Sequence, residues 1–367
     1  MSCDSSVHNP ALDTFKYNIV SPVITFFTNK DGGLFIGGGA AFKKYGFRRK
    51  PFAQEHKFVV CFSTSTYSKK LEYHNYFRNV FSGFDFETIV KGYAPAFVMN
   101  YFGYGNESKL PGDRSFIKDY RILLTHLIVH PALIKKIGKL SIGAGPKYEY
   151  FRLNNPVSTG ELPARESNPH LYKDHQYLGL RGYLTLGSID NSVQPTNGII
   201  WQAEANYNKR LKVPNAYTQV ASELRMYFTP NIPLKITIAS RTGVATNSGS
   251  YEFFQANMIG SGNMIGTFQN LRGYRKTRFI GDQSFYENLE LRWTLMKFNA
   301  YLFPGKAGLL FLTDNGRVWS KGEKSSLWHS AYGTGAWLNI FDKVVLTGTW
   351  SFSEEDTLFN IRTGFSF

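Results

Sequence analysis

Thr357-Leu-Phe-Asn-Ile-Arg-Thr-Gly-Phe-Ser-Phe367 is the stretch of sequence that decides the fold. Apolar or β-branched side chains occupy every second position, namely Phe359, Ile361, Thr363, Phe365 and Phe367. Polar or small residues, among them Asn360 and Arg362, fill the positions between them. A period of two predicts a β-strand with one apolar and one polar face. On this pattern, Phe365 and Phe367 are predicted to lie on the apolar face as the aromatic signal of a C-terminal strand.

The same alternation recurs upstream and includes charged residues. One such segment places Leu289, Leu291 and Trp293 on one face and Asn288, Glu290 and Arg292 on the other. A lipid-facing Arg or Lys at the bilayer midplane costs about 2–4 kcal/mol, so the polar face must look into a lumen. The pattern therefore predicts a transmembrane β-barrel.

Counting such segments gives sixteen predicted strands, and bacterial barrels have an even number. They lie near residues 17–28, 33–44, 55–68, 70–82, 86–103, 117–130, 138–153, 175–189, 198–209, 215–228, 233–246, 283–296, 306–320, 330–340, 343–353 and 357–367. The longest connections follow odd-numbered strands, which makes them extracellular if both termini are periplasmic. The predicted fold is all-β, a 16-stranded antiparallel transmembrane β-barrel over residues 17–367 that follows a short N-terminal segment, residues 1–16.

The composition agrees with a barrel and excludes a helical membrane protein. Hydrophobic residues make up 43% of the chain and aromatic residues 16%, yet the mean hydropathy is only -0.27. No run reaches the roughly 18 apolar residues that a membrane helix needs. Strands that are apolar on one face only, with aromatic girdles, account for both values.

Other functional classes find little support. The net charge is +15, but the Lys and Arg residues are scattered apart from short clusters such as Arg48-Arg49-Lys50 and Arg275-Lys276-Thr277-Arg278, so no nucleic-acid partner is predicted. The eight histidines and the two cysteines, Cys3 and Cys61, show no ligand or catalytic spacing. The sequence therefore predicts no metal, no cofactor and no enzyme activity.

Two motifs in the last third of the chain carry a family resemblance. Leu271-Arg272-Gly273-Tyr274 lies in the longest predicted loop, and Phe311-Leu-Thr-Asp314-Asn-Gly316 follows two strands later. Together they resemble the Omp85 superfamily, whose sixth extracellular loop carries an RGF or RGY motif. In that family the loop folds back into the lumen, and its Arg contacts an Asp within an F-x-x-D-x-G pattern. The resemblance implies a contact between Arg272 and Asp314.

The residues themselves agree with this contact. Asp314 shares the lumen face with Gly316, where a glycine leaves room for an approaching loop. Arg can form two hydrogen bonds to one carboxylate, a geometry that Lys cannot supply. Glu290, on the lumen face of the twelfth predicted strand, is a second candidate acceptor. Gly273 is predicted to let the loop turn sharply.

Weaker matches occur nearer the N-terminus. The segments Asp31-Gly-Gly-Leu-Phe-Ile-Gly-Gly-Gly39 and Asn100-Tyr-Phe-Gly-Tyr-Gly-Asn106 are similar to Omp85-type surface antigen barrels of Bacteroidetes. No signal peptide is visible, so a processed chain or a piece of a longer precursor is expected. The family's periplasmic POTRA domains are not expected within residues 1–16.

The resemblance implies an integral protein of the bacterial outer membrane that inserts or translocates outer-membrane or surface proteins. Its partners would be outer-membrane lipids and lipopolysaccharide, unfolded outer-membrane or secreted client proteins, and accessory lipoproteins. The first and last predicted strands would pair weakly, and Pro22 either weakens that pairing further or only marks the irregular start of the first strand.

A different class of function stays open at this point. The chain could be a passive channel or a membrane anchor for an N-terminal domain. Its predicted lumen arginines would then favour anions, and they are Arg181, Arg225, Arg241, Arg292 and Arg362.

Overall fold

The computed structural model describes residues 17–46, 49–110, 120–154, 171–261, 270–300 and 303–367. The predicted N-terminal segment 1–16, which includes Cys3, lies outside these residues, as does Arg48. No helix within the described ranges is long and apolar enough to span a bilayer.

The wall is a closed antiparallel barrel of sixteen strands, which confirms the predicted fold class. Its strands are β1 (Ile19–Asn29), β2 (Gly33–Gly46), β3 (Arg49–Ser63), β4 (Lys69–Phe81), β5 (Phe84–Asn100), β6 (Arg121–Ile137), β7 (Leu140–Asn154), β8 (His175–Ile189), β9 (Gly198–Arg210), β10 (Ala216–Phe228), β11 (Ile236–Gly249), β14 (Gln283–Asn299), β15 (Pro304–Trp319), β16 (His329–Ile340), β17 (Val344–Ser353) and β18 (Thr357–Thr363). Two short strands, β12 (Asn257–Ile259) and β13 (Phe279–Gly281), pair with each other between β11 and β14 and are not part of the wall.

Alternate side chains point to opposite faces of this wall. On β15, Phe311 is 45% exposed on the outer face, whereas Asp314 is fully buried on the inner face. Exposed apolar side chains follow the same alternation on other strands, for example Leu178 and Leu180 on β8, Leu289 and Leu291 on β14, and Trp350 on β17. The outer face is therefore the apolar surface that a bilayer requires.

Some predicted strand bounds were wrong. β3 begins at Arg49 rather than at residue 55, because the chain turns back within the β2–β3 hairpin and Gly46 pairs with Arg49. β6 extends to Ile137 rather than ending at residue 130, and it pairs with β7 up to Ile137 and Leu140. The alternation of side chains fixes the face of each residue better than it fixes the length of a hairpin.

The predicted C-terminal end of the last strand, and the predicted face of its last two aromatic residues, were also wrong. β18 ends at Thr363 rather than at residue 367, because Gly364 takes a φ of +85°, which favours glycine and turns the chain away from β17. Phe365 and Phe367, predicted on the lipid face, are 6% and 7% exposed. Phe365 packs with Trp337 and other buried side chains, and Phe367 packs with Tyr227.

Two inward-facing arginines explain why these aromatic rings turn inward. The Arg292 guanidinium lies 4.1 Å from the ring centroid of Phe365, and the Arg241 guanidinium lies 4.9 Å from that of Phe367. Arg292 also donates a hydrogen bond from Nη2 to the backbone oxygen of Phe367 at 2.7 Å. A desolvated cation–π contact is worth about 2 kcal/mol. The backbone N of Gly364 still donates to Val345 of β17 at 2.7 Å, and these contacts offset the ladder hydrogen bonds that the chain gives up after Gly364.

Candidate functional site

The connection between β11 and β14, residues 250–282, packs against inward-facing side chains of the wall; we call it loop 6. It contains a short 3₁₀ helix, Phe253–Gln255, and the β12–β13 hairpin. Its buried residues Phe253, Phe254, Met258 and Ile280 form one cluster with inward-facing residues of β5 to β8 and β10. Residues 262–269 of the loop lie outside the described ranges.

Arg272 contacts two carboxylates of the wall, and we call Arg272, Asp314 and Glu290 the latch. Arg272 donates from Nε to Asp314 Oδ2 at 2.8 Å and from Nη2 to Asp314 Oδ1 at 2.6 Å, so two hydrogen bonds reach one carboxylate. Its backbone N also donates to Asp314 Oδ2 at 2.8 Å, and Nη1 pairs with Glu290. All three side chains are at most 1% exposed. Burial opposes the charge of Arg272, but Asp314 and Glu290 outweigh it and raise the pKa of this guanidinium above its ordinary value.

Asn288 and Arg241 extend the latch, although no sequence motif predicts a contact between either residue and loop 6. Asn288 Nδ2 donates to Asp314 Oδ1 at 2.6 Å and to the backbone oxygen of Asn270 at 3.0 Å. Its Oδ1 accepts a hydrogen bond from Arg241 Nε at 2.9 Å. The register places Arg241, Asn288 and Asp314 side by side on β11, β14 and β15, and that pairing is the signal that could have identified them.

Two other residues of the loop motif, Leu271 and Tyr274, form an apolar contact between loop 6 and the wall. Leu271 and Tyr274 are buried with Ile259, Phe279, Val318 and Ala331. Tyr274 also donates from its hydroxyl to the backbone oxygen of Ser330 at 3.3 Å. Phe311, the first residue of the second motif, points outward and does not join this contact.

The two motif glycines are sites of close approach. A Cβ on Gly273 would lie 2.7 Å from Ala331 Cβ and 2.8 Å from the backbone oxygen of Phe352. The chain does turn at Gly273, because the backbone N of Tyr274 donates to the backbone oxygen of Leu271 at 3.3 Å. Gly273 is absent from the positive-φ residues, so close packing against β16 and β17, rather than backbone freedom, is the reason for glycine. A Cβ on Gly316 would lie 3.3 Å from Ile259 in loop 6.

We expect Gly273→Ala to displace loop 6 and destabilise the barrel by about 1–3 kcal/mol, the usual cost of overpacking. The matched control is Gly348→Ala on β17, where nothing lies within 4 Å of an added Cβ. The midpoint of urea unfolding in detergent micelles measures both effects. Equal midpoints for the two variants would contradict the close-packing explanation.

Among the described residues, no group of three or more His, Cys, Asp and Glu side chains could hold a metal ion. Cys61 is a buried free cysteine. Some buried charges form ion pairs between loop 6 and the wall, as Arg272 does, and others form ion pairs within the wall, such as Lys147 with Glu149.

The buried latch sits inside a region that matches a known family. A model of the OMP85 superfamily matches residues 132–367, which include loop 6, β14 and β15. The chain belongs to the OMP85 superfamily. No curated protein matches the sequence.

Solved structures of OMP85-type barrels share the fold. BamA from Haemophilus ducreyi lacking POTRA domains 1–3 has a TM-score of 0.63 and 14% identity, over 95% of this chain and 70% of that chain. CdiB from Acinetobacter baumannii has a TM-score of 0.53 and 11% identity, over 95% of this chain and 60% of that one. CdiB from Escherichia coli has a TM-score of 0.57 and 11% identity, over 96% of this chain and 64% of that one. This chain thus spans less than two thirds of either CdiB chain.

As a member of this superfamily, the chain is an integral barrel protein of the outer membrane. Its exposed apolar outer face is the surface that contacts membrane lipid.

Proposed function

We propose that this OMP85 barrel inserts or translocates outer-membrane or surface proteins, and that a client strand enters where β1 meets β18. We call this boundary the seam. The observation that carries the proposal is the pairing of the seam, which consists of one register pair, Phe27 with Arg362. In contrast, β1 and β2 pair along the whole of β1, from Ile19 with Lys43 to Asn29 with Gly33.

The short seam leaves part of β1 without a strand partner. Because β18 ends at Thr363, residues Ile19–Phe26 have no register partner across the seam within the described part of the chain. Unpaired backbone groups of an edge strand are a template for an incoming strand. In a bilayer such groups are costly, which favours their pairing with a client strand.

Side chains supply the remaining contacts along the seam. The hydroxyls of Thr25 and Thr363 lie 3.3 Å apart, and the backbone N of Ile361 donates to Thr28 Oγ1 at 2.9 Å. Neutral hydrogen bonds of this kind each contribute about 0.5–1.5 kcal/mol. A cavity of about 200 Å³ borders the seam and is lined in part by Thr25, Lys70 and Arg362. These contacts can break without unfolding the rest of the wall.

The latch fits the same proposal. Loop 6 packs against inward-facing side chains of the wall, and its Arg272 contacts buried carboxylates of β14 and β15. These two strands pair along their full lengths, apart from one irregularity between Thr294 and Met296. The latch therefore keeps this part of the wall rigid while the seam moves.

The alternative, a passive anion channel, loses much of its basis. Several of the arginines predicted to give an anionic preference are paired with carboxylates. Arg181 lies 2.7 Å from Glu204, Arg292 lies 2.7 Å from Glu290, and Arg225 pairs with Glu223. A lumen with neutralised arginines gives little reason for anion selectivity.

The partners of the proposed function are unfolded outer-membrane or secreted client proteins, together with the surrounding lipids and lipopolysaccharide. Accessory lipoproteins are proposed as helpers. No catalytic step is proposed, because strand insertion needs only an exposed edge and a route into the bilayer.

We expect liposomes that contain the barrel to accelerate the folding of a urea-unfolded small outer-membrane protein, compared with empty liposomes. Arg272→Ala and Asp314→Ala should each abolish the acceleration. Arg181→Ala is the control, because it removes a lumen arginine that pairs with Glu204 outside loop 6. A correctly folded barrel that gives no acceleration would contradict the proposal and favour a conduit or an anchor.

A further inference from the structure

Two segments outside the latch build a binding site for the second half of loop 6. Asp31 lies in the β1–β2 turn, and Asn100 is the last residue of β5. Asn100 Nδ2 donates to Asp31 Oδ2 at 2.8 Å and to the backbone oxygen of Lys276 at 2.9 Å. The Thr277 hydroxyl donates to the backbone oxygen of Asn100 at 2.8 Å. All four residues are at most 5% exposed.

Within this site, Arg275 reaches both turns that flank the seam. Its Nη1 donates to Asp31 Oδ1, in the β1–β2 turn, at 2.7 Å. Its Nε lies 3.2 Å from Asp356 Oδ2, in the β17–β18 turn, as an ion pair without the angle of a hydrogen bond. The side chain of Arg275 is only 8% exposed, and that of Asp31 is 1% exposed. One guanidinium thus joins the first hairpin of the barrel to the last.

We propose that Arg275, Asp31 and Asp356 form a seam bridge, which holds the extracellular end of the seam closed until the second half of loop 6 moves. The seam bridge would control access to the edge of β1. Its biological role therefore rests on the proposed function, in which a client strand pairs with that edge.

The seam bridge is the best-shielded charged contact across the seam in the described structure. Lys30 and Asp356 also pair across the seam at 2.6 Å, but the Lys30 side chain is 44% exposed. Exposed ion pairs contribute little, whereas breaking one partner of a buried pair is costly. Arg278 contacts the β17–β18 turn through Glu355 at 2.7 Å, and its other hydrogen-bond partner is Ser108, so these contacts do not reach the β1–β2 turn.

This arrangement couples the seam to loop 6. Arg275 follows the latch residue Arg272 by three positions, and both lie in the described segment 270–282. A displacement of this segment removes the guanidinium from Asp31 and Asp356 together, which leaves two carboxylates facing each other across the seam. Arg121 stays 3.4 Å from Asp31, and Lys30 stays 2.6 Å from Asp356, but neither cation contacts both carboxylates. The loss of the one guanidinium that joins the two turns then favours opening.

The test measures the width of the seam without any client. Spin labels are attached to Ile24→Cys and Phe359→Cys, which are exposed outer-face positions of β1 and β18. Pulsed electron paramagnetic resonance in liposomes then measures the distance between the two labels across the seam. Cys3→Ser and Cys61→Ala remove the native thiols. We expect Arg275→Gln to raise the population of long distances about tenfold, which corresponds to about 1.4 kcal/mol.

Arg210→Gln is the matched control. Arg210 Nη1 pairs with Glu252 of loop 6 at 3.2 Å, and its side chain is 10% exposed, but neither residue lies at the seam. Arg210→Gln should leave the distances unchanged. Asp356→Asn removes the other end of the seam bridge together with the Lys30–Asp356 pair and should act in the same direction as Arg275→Gln, so the test stands even if one variant does not fold. Lys30→Gln, which removes only the exposed pair, should leave the distances unchanged.

An unchanged distance distribution in folded Arg275→Gln would overturn the seam bridge. The same broadening in Arg210→Gln would overturn it too, since general loosening of loop 6 would then be enough. Failure of the proposed function looks different. In that case the seam widens in Arg275→Gln, but the barrel never accelerates client folding.

Discussion

Arg272→Ala is expected to destabilise the barrel by about 3–5 kcal/mol, the usual cost of breaking a buried ion pair on one side. The substitution leaves Asp314 buried without the guanidinium that neutralises it, whereas Glu290 keeps its ion pair with Arg292. It also removes the side-chain hydrogen bonds that hold loop 6 against β14 and β15. Client folding should fall to the rate of empty liposomes at the same time.

The variant Arg272→Lys distinguishes the effect of the positive charge at this position from the effect of the hydrogen-bond geometry. A lysine keeps the positive charge but lacks the planar fork that lets Arg272 donate two parallel hydrogen bonds to Asp314. We therefore expect an intermediate midpoint of urea unfolding, between the wild type and Arg272→Ala. Removing the stranded charge in the double variant Arg272→Ala, Asp314→Asn should recover part of the stability but none of the activity.

The control for the latch is Arg181→Ala, which breaks the ion pair with Glu204 that lies outside loop 6. Its two side chains are 24% and 35% exposed, so the loss should be small. If Arg272→Ala unfolds at the same urea concentration as Arg181→Ala, the apolar contacts of loop 6 alone hold it and the latch has no such role.

A disulfide across the seam is expected to have the second large effect. Phe27→Cys and Arg362→Cys place the two thiols at the register pair of β1 and β18, in a background without Cys3 and Cys61. Oxidation should reduce client folding to the rate of empty liposomes, because the edge of β1 can no longer separate from β18. Reduction should restore the rate.

The control disulfide joins Ala205→Cys to Val220→Cys, register partners on β9 and β10. It also links two neighbouring strands, but it lies far from the seam in the strand order. Oxidation of this pair should leave the rate unchanged. A seam disulfide that forms fully and leaves client folding as fast as before would rule out entry at the seam.

Much of the wall could be predicted from the sequence, because period-two alternation is local. In β14 and β17, residues two apart face the same side whatever the rest of the chain does. A charged residue such as Glu290 between apolar neighbours cannot face lipid, so its side of the strand must face the interior of the barrel. The strand count and its antiparallel order followed from this local signal, and the structure confirms both.

The candidate site could be predicted only in part. Arg272 and Asp314 were singled out through the family resemblance and Glu290 through its place on the lumen face, and the structure brings the three into contact. Asn288 and Arg241 were recognised only as inward-facing residues, because their contact with Asp314 requires the register of three neighbouring strands. Their role in the latch stays a prediction, as does that of Arg272.

The sequence by itself determined the barrel, the faces of its strands and the length of loop 6, because these depend on alternation along one strand. The tertiary structure decided where the alternation stops and which inward-facing side chains contact each other. Phe365 and Phe367 continue the apolar pattern, yet they turn inward. The reason is that Arg292 and Arg241, on strands distant in sequence, contact their rings from the inner face. Asp31 and Asp356 meet at Arg275 only because the barrel closes, which brings the first hairpin beside the last.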